Sequence, residues 1–435
     1  MHIQPTLKEF LRYTALNVTG MVGLSCYILA DTFFVSKGLG MTGLAALNLA
    51  IPVFSFIHGS GLMLGMGGAT WYSIFRGRQE QDKSNRIFTH MLLTALATAF
   101  LFVLTGLFFS GPLTLLLGAN EETFSMTHIY LQVLLLFSPA FLMNDLLTCF
   151  VRNDGNPRLS MLSMLLGSLS NILLDYLFIF PLHMGILGAV LATGAAPVLG
   201  MGILSTHWPK KRNHFHLQKE RIRLPVIISG LSLGFPSLIT ELSSGIVIIV
   251  FNIIILGLTG NAGVAAYGVI ANLSLVVISI YTGVAQGMQP LTSRAYGKGD
   301  KACCHRLLYY ALVSVLILSA AIYGVLFCFA APVVRIFNSE GNPILQQIAV
   351  AGIKLYFTAI PFAGINIVLC LFFPSTDRAL PAQVISAARG FALIIPAAFL
   401  LSGFAGMTGV WLAFPVTECI VLSLGMLFLG SERRS

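Results

Sequence analysis

The sequence predicts an all-α integral membrane protein whose twelve transmembrane helices form two six-helix bundles related by a pseudo-twofold axis. Three observations predict it. Of 435 residues, 56% are hydrophobic and only 9% charged, with a mean hydropathy of +0.87, which a soluble globule does not show. The second is an internal repeat. Gly-Met-Thr-Gly-Leu-Ala-Ala, Gly40 to Ala46, returns 220 residues later as Gly-Asn-Ala-Gly-Val-Ala-Ala, Gly260 to Ala266. The register then holds: Ser73 falls on Ser293, Gly77 on Gly297, Arg78 on Lys298 and Arg86 on Arg306. At offset 221, Gly185, Gly188 and Val190 fall on Gly406, Gly409 and Trp411. A copy of half a chain is a lobe, not a solenoid unit. The third observation is that basic residues gather in alternate connections.

Long apolar runs give the elements in order, each near the roughly 20 residues that cross a ~30 Å hydrocarbon layer. They lie at about 12–35, 46–70, 88–110, 127–150, 159–180 and 186–206, then 225–256, 264–290, 306–330, 347–373, 382–402 and 406–430. Lipid offers no partner to an open backbone, so short-looped apolar runs are helices. The first run is too long for a cleaved signal and carries Asp31, so it is read as a retained span. Residues 1–206 form the first lobe, 207–224 a basic linker and 225–435 the second lobe.

Lys8, Arg12, Arg76, Arg78, Lys83, Arg86, Arg152 and Arg158 fall on one side. So do the linker's Lys210, Lys211, Arg212, Lys219, Arg221 and Arg223. Arg294, Lys298, Lys301, Arg306, Arg378, Arg389, Arg433 and Arg434 complete it, leaving only Lys37, Arg335 and Lys354 of the 25 basic residues for the other. This places both termini in the cytoplasm. The net charge of +9 is thus topology, dispersed along the chain and not a nucleic-acid footprint. Six spans per copy make the repeats parallel, with a cavity between lobes that opens to one face at a time. The seven cysteines form no CxxC pair, and Cys303 and Cys304 sit in a basic loop; they read as ordinary thiols.

Carboxylates inside spans are expensive and mark function by default. Asn171 and Asp175 lie one turn apart on one face of the fifth span. Thr193 in the sixth span and Asp31 near the outer end of the first reach a similar depth. Two carboxylates, an amide and a hydroxyl suit a hard cation such as Na+, or a proton shared between like charges. Asn144 lines the lower wall of that pocket, whereas Asp145, about 100° round the helix, could face it or point elsewhere. Gly230, Gly234 and Pro236 predict a kink in the seventh span, with Glu241 beside it facing the cavity. Gln286 and Gln289, before Pro290, either polarise the cavity mouth or serve packing. Glu418 has no neighbour that fixes its direction, and Arg389 is expected to snorkel to the cytoplasmic surface.

Other chemistries lack their motifs. No GxxxxGK[ST] or HExxH occurs, and no nucleophile–base pair stands out, so an enzyme is not expected. No cofactor is required beyond a coupling ion. Asn17-Val18-Thr19 is a glycosylation sequon by letter only, inside the first span.

Asp31 within Ala-Asp-Thr-Phe-Phe-Val-Ser, followed by Gly40 to Ala46, resembles the first-helix signature of the multidrug and toxic compound extrusion (MATE) transporters. Arg152-Asn-Asp-Gly-Asn-Pro-Arg158 with Asn171-Ile-Leu-Leu-Asp175 is similar to that family's helix 4–5 segment. Gly234-Phe-Pro-Ser-Leu-Ile-Thr-Glu241 and Gln286-Gly-Met-Gln-Pro290 resemble its MepA-like branch. The resemblance spans the chain. It implies two lobes of six helices and cation-coupled export of organic, often cationic, compounds, with Asp31, Asn144, Asn171, Asp175 and Thr193 as the proton or sodium site. The NorM branch adds an acidic residue in helix 10, where this chain has Asn366. The expected partners are small organic cations and membrane lipid, and the expected state is a monomer in the cytoplasmic membrane. A flippase for lipid-linked oligosaccharide of the same superfamily is the alternative. Its phosphate cargo calls for cavity Arg or Lys, whereas the deep charges here are mostly acidic.

Overall fold

A computed structural model describes residues 7–209, 212–338 and 341–432; the basic residues Lys210, Lys211, Arg433 and Arg434 lie outside them. The described residues contain fourteen α-helices and no strand. In the first lobe they are α1 (Leu7–Gly77), α2 (Gln81–Phe108), α3 (Ser110–Leu116), α4 (Glu121–Leu136), α5 (Ser138–Asn153), α6 (Pro157–Ile179) and α7 (Gly185–Ser205). In the second they are α8 (Leu224–Gly297), α9 (Lys301–Cys328), α10 (Ala330–Phe337), α11 (Pro343–Tyr356), α12 (Ile360–Ser375), α13 (Ala379–Ala387) and α14 (Ile394–Glu432).

These elements make twelve spans. α4 and α5 form one, bent by 49°. α11 joins α12 through a 3-10 turn at Phe357–Ala359, and α13 joins α14 through a π-turn at Ala388–Ala392. α1, α8 and α14 each hold two spans, divided at Gly40 (φ 69°), Gly260 (φ 64°) and Gly406 (φ 55°). Gly185, between α6 and α7, has φ 64°. These four glycines are the repeat-matched positions of the sequence, and an L-side chain rarely adopts such a φ. The repeat therefore records the four tight hairpins on one face of the bundle. Both ends of α1 come back to Asp154: Arg76 pairs with it, while Tyr13 approaches the adjoining Gly155.

Each lobe has its own buried apolar core. One draws on α1 to α7 together with Phe215; the other on α8 to α14 with Phe10 and Tyr13 of α1. The lobes meet along the part of α1 and α8 nearest the face bearing Arg76 and Arg294, called here the basic face. A Cβ on Gly77 would lie 2.9 Å from Gly297 Cα, and one on Gly297 would lie 3.0 Å from Gly77 Cα. Gly67 would meet Gly234 N at 2.8 Å, and the repeat-related Gly287 would meet Thr14 N at 2.8 Å. Backbone rests on backbone about a pseudo-twofold axis, which only glycine allows. The seam reaches mid-span, where Ser25 Oγ donates to Ser279 Oγ at 2.6 Å.

α8 remains helical through Pro236; its single non-helical residue is Gly260. Gly230 and Gly234 serve close interlobe packing. One expectation changes. Cys303 and Cys304 are not in a loop but begin α9, where both are buried. The short helices α3 and α10, which begin where the hydropathy reading ends the preceding spans, occupy repeat-related positions and expose Leu116 and Ile336.

Candidate functional site

The oxygen-rich pocket lies inside the first lobe. Asp31, Asn171, Asp175 and Thr193 are all buried, Asn171 and Asp175 completely. Burial of Asp31 follows from α1 packing on α6: Phe34 contacts Tyr176 and Phe180 at ring distances of 6.2 and 6.1 Å. The carboxyls of Asp31 and Asp175 face each other in the same buried cluster. In the amide orientation that satisfies both neighbours, Asn171 Nδ2 donates to Asp175 Oδ2 at 3.0 Å and its oxygen accepts from Thr193 N at 3.2 Å. Thr193 Oγ1 donates to Ala189 O at 3.0 Å and meets the phenol of Tyr130. Asp31 Oδ1 and Asp175 Oδ1 receive no hydrogen bond. Buried polar atoms are rarely left so, and these are oxygens able to face a proton or a hard cation.

Asn144 does not join this group. It faces Gly200 and Ser163, and Ser163 precedes Asn171 by eight residues, about 12 Å of helix rise. Its Oδ1 also lacks a donor. Asp145 points the other way, toward the space between lobes, where His58 Nδ1 lies 2.8 Å from its Oδ2. These side chains keep 18% and 10% of their surface accessible at mid-span. Glu241 of α8 approaches from the second lobe: a Cβ on Gly59 would lie 3.1 Å from Glu241 Cβ, and Glu241 is only half-buried. Two acids and a histidine thus come together where the lobes face each other.

Gln286 and Gln289 are buried across the seam instead of lining open space. Gln286 Oε1 accepts from Arg152 Nη1 at 2.5 Å. Gln289 and Asn153 exchange two hydrogen bonds of 3.1 Å, and Gln289 Nε2 also donates to Thr70. Amides in a tight seam are held there because an unpaired one would be costly.

Glu418 and Arg389 resolve together. Arg389 does not snorkel. Its Nη2 lies 2.7 Å from Glu418 Oε1 and its Nε donates to the same oxygen at 3.1 Å. Asn366 Nδ2 donates to Glu418 Oε2 at 2.7 Å. The π-turn carries Arg389 inward, a local widening that re-aims a side chain.

Hydropathy reading passed over three participants. His58 was visible as a lone ionisable residue in an apolar run, which is signal enough. Arg152 stood in the sequence as an orientation charge and part of a family motif, with nothing to place it in the seam. Tyr130 gave no signal, because a buried phenol in a span reads as packing.

The sequence model of the MatE family matches residues 18–177 and 236–400. Among curated proteins, the multidrug export protein MepA of Staphylococcus saprophyticus is 24% identical over 430 residues, covering 98% of this chain and 94% of the relative. MepA of Staphylococcus aureus strain MSSA476 is 23% identical, with 99% and 95% covered. A multidrug resistance MATE family transporter solved in its outward-facing conformation superposes with a TM-score of 0.92 at 22% identity, with 98% and 95% covered. A MOP superfamily transporter from Pyrococcus furiosus Vc1, whose structure was described as having a binding pocket of reversed polarity, gives a TM-score of 0.90 at 23% identity, again with 98% and 95% covered. With a family match over both lobes and a fold shared along the whole chain, this protein belongs to the MatE family of multidrug efflux transporters.

Proposed function

We propose that the protein is a cation-coupled antiporter that exports organic, cationic amphipathic compounds from the bacterial cytoplasm by alternating access, working as a monomer with both termini in the cytoplasm. The observation that carries this reading is the buried Asp31–Asp175 pair inside one lobe. Two carboxyls facing each other in a dry pocket cannot both stay charged without a proton or a metal cation between them. Loading the pocket changes the charge against which α1 packs on α6. A ligand shifts a conformational equilibrium only through such a difference between states. The same oxygens suit H+ or Na+.

The interlobe acids supply the cargo side. Asp145 and Glu241 attract an organic cation at mid-membrane, and His58 competes for Asp145 when no cargo is present. A phosphate-bearing cargo would meet two acids there, which disfavours the flippase alternative. The glycine seam closes the basic face, the arrangement of a transporter open to the opposite side.

The test is dye efflux from vesicles with either an imposed pH gradient or an imposed sodium gradient. One gradient should drive export of a cationic dye in the wild type and fail in Asp31→Asn. Export insensitive to both gradients would sink the proposal.

A further inference from the structure

Arg152 sits in the seam beneath the interlobe acids with 1% of its surface exposed. Its partners are all neutral. Nη1 donates to Asn17 Oδ1 at 3.1 Å and to Gln286 Oε1. Nη2 faces Met66 Sδ at 3.0 Å and Cys149 Sγ at 3.6 Å, and Nε has no partner. The neighbouring carboxylate, Asp154, is taken up on the other side by Arg76, Tyr72, His207 and His214. A guanidinium is always charged, and one buried without a counter-anion costs folding energy that packing alone does not require.

Its position suggests what that cost serves. Asp145, Cys149 and Arg152 are spaced i, i+4, i+7 on one stripe of α5. The same stripe faces Gly61, Gly65 and Met66 of α1. A cation drawn toward Asp145 and Glu241 therefore meets a fixed positive charge about 10 Å further along the seam, before it can reach the basic face. Asn17 of α1, Gln286 of α8 and Arg152 of α5 close that point from both lobes.

We infer that Arg152 is an electrostatic barrier that keeps protons and metal cations from leaking through the closed seam, so that they cross only when bound in the first-lobe pocket. A single guanidinium in a narrow path is sufficient for such exclusion. This rests on the cation-coupled reading, and its test is separable from it.

Wild type, Arg152→Gln, Arg152→Met and Arg152→Lys are reconstituted in liposomes without dye. Passive entry of protons, sodium, chloride and glycerol is followed under an inside-negative potential. Either neutral variant should raise proton and sodium entry at least about tenfold, leave chloride and glycerol unchanged, and be corrected by lysine. Neutral variants as tight as wild type would overturn the barrier. So would an equal rise for all four solutes, which marks a loosened seam, or a lysine variant as leaky as glutamine. Two neutral replacements of different polarity guard against one failing to fold. Gradient-driven dye export is read in the same vesicles: its absence in the wild type removes the coupling reading while the leak result stands or falls by itself.

Discussion

The two lobes share a backbone plan and differ in what they do with buried charge. At the position where the first lobe carries Asp31, the second has Phe251, stacked on Tyr267 at 5.4 Å. Where the first has Thr193, the second has Phe414, stacked on Tyr356 at 4.6 Å. The region matching Asp175 holds Pro396, Ala397 and Ala398. The second lobe keeps a buried carboxylate elsewhere, Glu418, and gives it a tethered cation in Arg389. Like charges meet in one lobe and opposite charges in the other. A like-charged pair needs something from solution; an ion pair built into the chain does not. The repeat supplies the scaffold, and the two copies differ in the buried charge placed on it.

The sharpest way to break that comparison is to remove one member of the like-charged pair. Asp31→Asn should reduce gradient-driven dye export to background while leaving insertion and thermal stability near wild type, since an amide fills the same space. Asp175→Asn should do the same. Export above about a tenth of wild type in either variant, measured by dye fluorescence, would return the pocket to a structural role.

In the second lobe the opposite outcome is expected. Glu418→Gln leaves Arg389 buried without a counter-charge and should cost about 3–5 kcal/mol of stability, read as a lower melting temperature in detergent. The double variant Arg389→Met, Glu418→Met should recover most of it, because an apolar pair of similar volume often replaces a buried ion pair without loss. Coupled export by the double variant should persist. A double variant that folds but no longer couples would show that the second lobe also handles the ion.

Between the lobes, Glu241→Gln should weaken export of cationic dyes about tenfold, equivalent to ~1.4 kcal/mol, and affect neutral dyes less. His58→Gln should raise apparent affinity for cationic dyes by freeing Asp145. Equal changes for charged and neutral cargo would remove both residues from recognition.

The sequence reading and the structure agree where one residue type has few roles. Gly40, Gly185, Gly260 and Gly406 could be aligned by letter, and each sits at a positive φ. Asn171 and Asp175 shared a helical face by spacing alone. Failure came where a side chain's direction depends on a partner far along the chain. Arg389 and Glu418 are 29 residues apart, and Arg152 and Gln286 are 134 apart. Hydropathy places such residues in a span but does not aim them. Pro236 lies in a helix that continues through it, close to where Gly234 packs on Met63.

The connection between the lobes extends the asymmetry, and its test has the smallest expected effect. Residues 212–223 have no regular structure, yet a run of hydrogen bonds fastens them to α2 of the first lobe. His216 N donates to Asn85, Gln218 N to Thr89 and Arg223 N to His90, each at 3.0 Å, and Arg86 pairs with Glu220 at 2.6 Å. Phe215 is fully buried among Tyr72, Phe88, Phe150 and Trp208. Asp154 anchors the start of this strap. Burial alone would push its carboxyl up, but hydrogen bonds from His207, Tyr72 and the His214 backbone, with Arg76 alongside, outweigh it and hold the group below the usual carboxylate range. A depressed folded value means that the stabilisation is fully present above the ordinary aspartate pKa of about 4. It is lost as pH falls through the lower, folded value. Docking should therefore be flat across neutral pH and fail only in acid. Asp154→Asn should cost about 1–3 kcal/mol locally, speed tryptic cleavage between Arg212 and Arg223, and lower export no more than about threefold. If cleavage is unchanged, Asp154 does not secure the strap. If export falls as far as in Asp31→Asn, the strap belongs to the coupling machinery, and the asymmetry between the lobes reaches the hinge that joins them.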